Sequence, residues 1–267
     1  MGNTEKTILA LGRTAEVLTW GNQQVLKLFY AWIPANWVEH EAAAARLVSL
    51  TGLPTPKLLG EQTLDGRRGL VYERVTGPSL LSLVVNHPWN CTRYARQFAG
   101  LHAAIHRQHG EGLPSFKANL ARTIRNLEGL PSDLLKTALE RLDRLPEGET
   151  LCHCDFHPDQ VLMTSNGLVV LDWMTACTSQ PAADVARTEV IINFSPLPQV
   201  AWPVKQLAGL LRKVFFRTYL KRYGELNPAV TATEVEEWLP IVALARLAEK
   251  IPGEKSQLEA FIRKAFT

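Results

Sequence analysis

The sequence LCHCDFHPDQVLM, Leu151 to Met163, crowds two histidines, two aspartates and two cysteines into thirteen residues. From Leu151 to Ala186 the chain contains no lysine or arginine but four aspartates: Asp155, Asp159, Asp172 and Asp184. Carboxylates without nearby counter-charges repel one another unless a cation or a distant base joins them. Hard divalent cations such as Mg²⁺ bind one or two carboxylates together with substrate phosphates. The stretch therefore predicts a site built from acidic oxygen ligands.

Length and composition restrict the class of protein. The chain has 267 residues, enough for one large domain or two lobes that share a cleft. Apolar residues make up 46% of it, which allows a sizeable core and argues against disorder. The net charge is +3 and the 29 basic residues form no continuous block, so we expect no nucleic-acid partner. No apolar run approaches the roughly 18 residues of a membrane span, so we expect no membrane partner.

The cysteines and the N-terminal sequence predict the cellular compartment. The spacing of the four cysteines is not that of a disulfide framework, which fits a reducing environment: Cys91, Cys152, Cys154 and Cys177. The opening sequence MGNTEKTILALG lacks a basic segment followed by an apolar one, so it does not resemble a secretory signal. We therefore expect a cytoplasmic protein.

The first part of the chain has the pattern of several strands and one helix. Thr14–Trp20 and Gln24–Tyr30 are β-prone runs on either side of Gly21-Asn22, which is a turn signal. Two further short strands flank Asp65-Gly66. Between these pairs, Asn36–Leu50 predicts an alanine-rich helix whose first residue is the candidate N-cap.

After Gly77-Pro78 the pattern becomes mainly helical. Arg93–His109 and Ser132–Leu145 are helical, as is nearly all of the last quarter of the chain. The exception is the stretch 151–173, where two short apolar runs joined at Asn166-Gly167 predict a small hairpin.

These patterns predict two lobes. The first is small and β-rich and covers residues 1–75, and the second covers residues 76–267 and holds the hairpin among its helices. A hinge is expected near residues 74–78.

The spacing of the acidic residues resembles that of a known enzyme family. Gln160 lies five residues after the aspartate of His153-Cys154-Asp155, and Asp172 follows the apolar run Leu168–Leu171. This resembles the order of catalytic aspartate, metal-binding amide and metal-binding aspartate in kinases. As a whole, HCDFHPDQVLM followed by VVLDWMTA resembles the aminoglycoside phosphotransferase and choline kinase-like family, whose pattern is His-Gly-Asp-x-His-x-x-Asn and then Asp-Trp or a similar pair. The resemblance implies an α+β, protein-kinase-like bilobal fold with a small β-rich N-lobe and a larger, mainly helical C-lobe.

The resemblance also implies a role for each residue of the motif. Asp155 would orient or deprotonate a hydroxyl of the acceptor, which attacks the γ-phosphate of ATP or GTP in line. Gln160 and Asp172 would hold Mg²⁺. Because phosphoryl transfer requires mostly positioning and charge neutralisation, these few groups supply most of the chemistry. The acceptor would be a small hydroxylated molecule, either an aminoglycoside or other antibiotic, with resistance as the function, or a metabolite.

The N-terminal lobe offers the remaining parts of a kinase-like site. Lys27 lies in the strand-like run Val25–Leu28, where a kinase carries the lysine that holds the nucleotide phosphates. The next helix offers Glu39 and Glu41 as the partner that orients this lysine, and Glu41 fits the family pattern better. By resemblance, the backbone groups of Glu73 and Val75 would bind adenine.

Three departures from the family pattern favour a different class of function, a nucleotide-binding pseudokinase with a regulatory or binding role. Gln160 replaces the family's asparagine, and Cys154 replaces its glycine. The expected phosphate-covering loop, Leu11–Val17, contains a single glycine. Binding of nucleotide without turnover would favour this alternative.

A third hypothesis is a structural zinc site formed by Cys152, Cys154 and His157, since thiolates and imidazoles are good zinc ligands. These residues crowd three ligands into six positions, and no second ligand pair with suitable spacing follows. His102 and His106, one helical turn apart, are a conceivable metal pair, but we favour a structural role beneath the catalytic loop.

The C-terminal part gives little information about the acceptor. Asp184, in a Pro-x-x-Asp-x-Ala segment similar to that of the family, is expected to brace the catalytic loop. From Arg187 to Thr267 there are 12 Lys/Arg and 8 Asp/Glu, so this part does not indicate a polycationic substrate.

Overall fold

The computed structural model describes residues 7–196 and 201–266. The first part of the chain forms β1 (Ile8–Leu11), β2 (Ala15–Trp20), β3 (Gln24–Phe29), α1 (Ala35–Ser49), β4 (Leu58–Leu64) and β5 (Arg67–Glu73). The remainder forms α2 (Leu80–Asn86), α3 (Cys91–Ile105), α4 (Phe116–Arg125), α5 (Ser132–Arg144), β6 (Thr150–Cys152), β7 (Val161–Thr164), β8 (Gly167–Val170), β9 (Cys177–Ser179), α6 (Pro181–Phe194), α7 (Trp202–Leu226), α8 (Ala232–Arg246) and α9 (Lys255–Phe266). None of the helices in the described ranges has both the length and the apolar character needed to cross a membrane.

The chain packs into two units. The first contains the described residues up to Ser79 together with Gln160–Thr175, and the second contains Leu80–Asp159 and the described residues from Ala176 onward. This division differs from the predicted one, which placed the boundary after residue 75 and the hairpin in the second lobe.

The β7–β8 hairpin belongs to the first unit because its backbone and flanking residues bond there. Met163 N donates to the carbonyl of Pro78 at 2.9 Å, and Val170 N donates to that of Pro54 at 2.8 Å. The indole of Trp173 donates to Oγ1 of Thr55 at 2.9 Å. These hydrogen bonds join residues about a hundred positions apart in the sequence, so local sequence patterns do not indicate them.

The sheet of the first unit has the order β1-β2-β3-β5-β4, and every neighbouring pair is antiparallel. The predicted β2–β3 and β4–β5 hairpins are confirmed. Asp65 and Gly66 both have positive φ, 51° and 75°, as a two-residue hairpin turn requires. Strand β1 was not predicted, and all four of its residues are exposed, so its sequence shows no alternation of buried and exposed positions.

The two faces of this sheet are covered by separate apolar clusters. Leu18, Leu26, Leu28 and Val71 pack on one face. The other face holds Ala15, Phe29, Ile33, Val38, Ala42 and Leu70, several of which come from or pack beneath α1. Because successive strand residues point to opposite faces, Lys27 lies between Leu26 and Leu28 but faces α1.

Helix α1 begins one residue before the predicted start. The N-cap is Pro34, with φ −60° and ψ 142°, and no side chain caps the helix. The prediction that Asn36 is the cap was wrong. The proline ring already fixes the φ that the cap position needs, so the chain enters the helix at Ala35.

The second unit is mainly helical and has an aromatic core. The rings of Phe98 and Phe156 stack with centroids 4.1 Å apart, and Phe98 also contacts Phe215 and Tyr219. These contacts join α3 to α7 and place both helices beside the loop that follows β6. The short strands β6 and β9 pair antiparallel, with Cys152 opposite Cys177.

Candidate active site

Lys27 is the centre of a hydrogen-bonded cluster in the first unit. Its Nζ donates to Oε1 and Oε2 of Glu41 at 2.8 Å each, and to Oδ1 of Asp172 at 2.8 Å. The hydroxyl of Tyr72 donates to Oε1 of Glu41 at 3.0 Å. Sheet, helix and hairpin therefore each contribute a polar group to one point.

The charges of this cluster do not balance. Burial alone would lower the pKa of Lys27, but Asp172 and Glu41 more than reverse this, so its pKa is raised and the ammonium stays charged. The pKa of Glu41 is raised by burial and by the neighbouring Asp172, although Lys27 acts in the opposite direction. One ammonium group faces two carboxyl groups, which is the arrangement that a further cation stabilises.

Of the two candidate glutamates, the structure brings Glu41 to Lys27. Glu41 is buried with a side chain 2% exposed, whereas the side chain of Glu39 is 62% exposed. Glu39 instead accepts a hydrogen bond from Arg68 at 2.8 Å. The two glutamates are two positions apart on α1 and therefore lie on different faces.

Gln160 and Asp172 lie together at the base of the hairpin. Leu171 N donates to the carbonyl of Gln160 at 2.8 Å, and Nε2 of Gln160 is 3.4 Å from Oδ2 of Asp172. Asp172 has φ 60°, a left-handed conformation that Asp adopts more readily than most residues. A half-turn of the amide exchanges its nitrogen and oxygen, giving a set of oxygen donors of the type that Mg²⁺ binds. These residues, together with the unbalanced charge at Lys27, therefore fit a divalent cation.

The backbone N–H groups at the end of β5 and just after it differ in their hydrogen bonding. Glu73 N already donates to the carbonyl of Lys57 at 3.0 Å, and Arg74 N donates to that of Gln23 at 2.9 Å. The backbone N–H of Val75 donates no hydrogen bond within the described ranges. The predicted adenine contacts of Glu73 and Val75 remain predictions.

Asp155 lies in the second unit with three polar neighbours. Its own N–H donates to Nδ1 of His153 at 3.2 Å. Its Oδ2 lies 3.8 Å from Nε2 of His157, and its Oδ1 lies 4.0 Å from a terminal nitrogen of Arg187. Burial lowers the pKa of His157, so this ring is neutral at pH 7. The carboxylate is partly exposed.

The loop that carries Asp155 is held by the buried carboxylate of Asp184. Its Oδ2 accepts from His153 N at 2.7 Å, and its Oδ1 accepts from Cys154 N at 2.9 Å. Cys154, at the position where the family pattern has glycine, has φ 59°, a left-handed conformation that glycine adopts more readily than a residue with a side chain. These bonds explain how the loop adopts this conformation around a buried cysteine.

Two histidines complete the environment of Asp184. Nε2 of His102 and Nε2 of His106 both lie 3.2 Å from its Oδ2, while their Nδ1 atoms contact the hydroxyls of Tyr219 and Tyr223 at 2.7 and 2.6 Å. Burial would raise the pKa of Asp184, but the histidines more than offset this and hold it well below its ordinary value. Burial and the neighbouring His106 lower the pKa of His102 to about 4, so its ring is neutral at pH 7.

The predicted zinc ligands are not brought together in the described residues. In the described residues, His102, His106 and Asp184 place three metal-ligating atoms within 4.8 Å of one another. The two histidine Nε2 atoms each lie 3.2 Å from Oδ2 of Asp184. Cys152 and Cys154 have other partners. Cys154 Sγ is 3.0 Å from Cys177 Sγ, and Cys152 Sγ is 3.9 Å from the carbonyl of Gln180.

Arg187 and Glu249 are additional residues near Asp155 that the sequence did not predict. Nε of Arg187 donates to the carbonyl of Cys154 at 3.0 Å, and a terminal nitrogen donates to Glu249. The other oxygen of Glu249 accepts from Arg246. Arg187 lies three residues after Asp184, on the same face of α6, and this spacing is a signal that could have found it. The sequence around Glu249 carries no comparable signal.

Residues 10–198 match the model of the phosphotransferase enzyme family. The chain belongs to this family. Comparison with curated protein sequences finds no match.

Solved structures of other proteins share the fold. An aminoglycoside-3'-phosphotransferase of type VIII is 18% identical with a TM-score of 0.63, covering 92% of this chain and 93% of that one. Aminoglycoside phosphotransferase APH(3'')-Id from Streptomyces rimosus, in complex with ADP and streptomycin, is 17% identical with a TM-score of 0.60, covering 91% and 93%. A choline/ethanolamine kinase family protein from Mesorhizobium loti is 16% identical with a TM-score of 0.54, covering 99% and 86%. The predicted kinase-like fold is confirmed.

Proposed function

We propose that this phosphotransferase moves the γ-phosphate of ATP or GTP to a hydroxyl group of a small molecule. The observation that carries the proposal is the simultaneous bonding of Lys27 to Glu41 and Asp172. A lysine held between a helix glutamate and a metal-binding aspartate is the arrangement by which kinases position nucleotide phosphates. Structures that share this fold and contain ADP and streptomycin, or GDP and kanamycin, support a nucleotide co-substrate.

Each residue then has a defined task. Lys27, oriented by Glu41, contacts the nucleotide phosphates, and the backbone of Glu73 and Val75 binds adenine. Asp172 and Gln160 hold Mg²⁺, which when bound neutralises phosphate charge. Asp155 accepts the proton of the acceptor hydroxyl as that oxygen attacks phosphorus and the nucleoside diphosphate leaves. Asp184 and Arg187 keep the loop of Asp155 in place through its backbone.

The surroundings of Asp155 favour an acceptor that is not strongly cationic. The carboxylates of Glu249 and Glu254 are both bonded to arginines, which neutralise their charge. Glu254 accepts from Arg246 at 2.8 and 2.9 Å, and Glu249 accepts from Arg187 and Arg246. Polycationic aminoglycosides would have to displace these guanidinium groups, so we favour neutral hydroxylated acceptors.

A panel screen tests the proposal. Purified protein is incubated with Mg²⁺ and either ATP or GTP, and release of nucleoside diphosphate is followed across neutral polyols, other hydroxylated metabolites, macrolides and aminoglycosides. We expect acceptor-dependent release above the hydrolysis rate with water alone, and a phosphorylated product by mass spectrometry. Tight nucleotide binding without transfer to any acceptor would instead favour the pseudokinase alternative, which the replacement of asparagine by Gln160 motivates.

A further inference from the structure

A groove of about 740 Å³ lies between α3 and α7 in the second unit, and the site residues named above do not line it. Its walls comprise Arg96 and Gln97 of α3 and Arg217, Thr218, Lys221, Arg222 and Glu225 of α7. The helices are joined by the buried rings of Phe98, Phe215 and Tyr219. The groove residues on α7 lie close in sequence to Phe215 and Tyr219, so they occupy the side of the helix next to its buried face.

Positive charge is concentrated on α7. The helix carries six Lys/Arg and one Glu, a net charge of +5, whereas the whole chain carries +3, so the remaining residues sum to −2. Helix α3 adds Arg93 and Arg96 and contains no acidic residue. The excess of positive charge is therefore confined to α3 and α7 and is not a property of the whole chain.

The cations of the groove are largely uncompensated. Arg217 and Lys221 are one turn apart on the same face of α7, where like charges repel. Glu225 is one turn beyond Lys221 but bonds Arg222 instead, at 3.0 Å. In the part of the chain that the structure describes, Arg96, Arg217 and Lys221 form no ion pair or hydrogen bond through their side chains. Three cations thus converge on a concave surface without an internal partner.

We propose that this groove binds a small anion that carries several linked phosphate groups. Its volume lies in the range of about 300–1,000 Å³ typical of small-molecule sites. Guanidinium and ammonium groups recognise phosphate oxygens, and the amide of Gln97 supplies a further hydrogen-bonding group. The lining contains no aromatic residue on which a base could stack, so the phosphates and not a nucleobase are recognised.

Inorganic tripolyphosphate is the probe for this site, titrated calorimetrically into the full-length protein at moderate salt. The test variant is Arg217→Gln/Lys221→Gln, whose two side chains are exposed, so the fold should be unaffected. The matched control is Arg122→Gln/Arg125→Gln on α4, which removes the same charge from exposed positions outside the groove. We expect the test variant to weaken binding at least tenfold and the control to change it less than twofold. Arg96→Gln, on the opposite wall, should weaken it severalfold.

The nucleotide site offers another place where tripolyphosphate could bind, so the titration is repeated with Lys27→Met. Binding that survives in Lys27→Met but is lost in the groove variant supports the proposal, whether or not the protein proves to be a phosphotransferase. Loss only in Lys27→Met, equal weakening by both double variants, or no binding by the unmodified protein would overturn it. Vesicles of phosphatidylcholine with and without phosphatidylglycerol form a separate arm. Adsorption to the anionic vesicles without tripolyphosphate binding would identify a membrane surface and also overturn the proposal.

Discussion

Lys27 is constrained by three hydrogen bonds to two carboxyl groups. Substitutions of Lys27 and of Glu41 should therefore affect nucleotide binding to different degrees. Removing the ammonium group removes the phosphate contact itself. Removing Glu41 leaves the charge in place but allows the lysine to move, so the loss should be smaller.

We therefore expect Lys27→Ala to lower kcat/KM for nucleotide by about 100-fold or more, and Glu41→Gln by about tenfold. Glu39→Gln is the matched control, because this glutamate bonds exposed Arg68 and should leave activity unchanged. Steady-state kinetics with varied nucleotide measure all three. A large loss of activity in Glu39→Gln with normal activity in Glu41→Gln would identify Glu39, and not Glu41, as the functional partner of Lys27.

Asp155 and Asp172 have different predicted partners, so their substitutions should have different effects. Asp155→Ala should reduce transfer to the acceptor by about 10²–10⁴-fold while nucleotide binding stays nearly intact, because its role concerns the acceptor hydroxyl. Asp172→Ala should also weaken Mg²⁺-dependent nucleotide binding. Asp143→Ala, at an exposed position on α5, serves as the control and should leave both transfer and nucleotide binding unchanged. Retention of more than a few per cent of transfer by Asp155→Ala would contradict its catalytic assignment.

Gln160 provides the same amide oxygen as asparagine but on a longer side chain. The extra methylene moves that oxygen by about 1.5 Å if the backbone stays in place, whereas Mg²⁺ requires oxygens at roughly 2.0–2.1 Å in near-octahedral geometry. We expect Gln160→Asn to lower the Mg²⁺ concentration for half-maximal activity severalfold without changing the acceptor. Superimposable metal titrations of the two proteins would exclude a coordination role, and turnover confined to the asparagine variant would indicate a pseudokinase.

At the scale of secondary structure, the sequence predicted the elements whose hydrogen bonds join residues close together in the chain. The hairpins at Asp65-Gly66 and Asn166-Gly167 were predictable because their turn residues and flanking β-prone runs are contiguous. Helix α3 was predictable from its periodic apolar residues. For the site, the motif identified Asp155 and Asp172 as candidates because their spacing resembles a known pattern.

Elements that depend on distant partners were not predictable in the same way. Strands β6 and β9 have three residues each and pair across a separation of more than twenty positions. Helix α6 is buried along most of its length, so its sequence shows little amphipathic periodicity. Arg187 and Glu249 meet only because α6 and the turn after α8 are brought together by tertiary packing.

Helices α3 and α6 share a buried network whose stability depends on pH. The pKa of His102 is about 4 in the folded protein and about 6.5 when the ring is exposed. The unfolded chain therefore binds this proton at higher pH, and the free energy of unfolding should fall as pH decreases from 6.5 to 4, by about 3 kcal/mol. Denaturant unfolding at several pH values measures this slope. His102→Gln should flatten it, whereas His87→Gln, an exposed histidine, should retain it.

At the scale of the whole molecule, the first unit is assembled from two separate segments of sequence. Lys27 and Glu41 come from the first segment, and Gln160 and Asp172 come from the second. A nucleotide held by all of them would stabilise both segments together, with a gain of about 2.7 kcal/mol at a ligand concentration of 100 Kd.

Hydrogen exchange with and without Mg²⁺ and ATP tests this coupling. We expect slower exchange in β3 and α1 and, to a similar degree, in residues 160–175. Helix α5, which carries none of the predicted site residues, provides the internal reference, and Lys27→Ala should abolish both effects. Protection confined to one of the two segments would contradict a shared ligand.

The hairpin that completes the first unit also determines when this unit can fold during synthesis. The ribosome releases β1 to β5 and α1 before the hairpin, because the residues that bond Pro54, Thr55 and Pro78 are translated only after a further eighty or so residues of the second unit. At about 5–20 residues per second, this interval lasts roughly 4–16 s. Throughout it, the nascent sheet lacks the hairpin, and Lys27 lacks Asp172. Until the hairpin is translated, the sheet of the first unit therefore cannot complete its packing or the hydrogen bonding of Lys27.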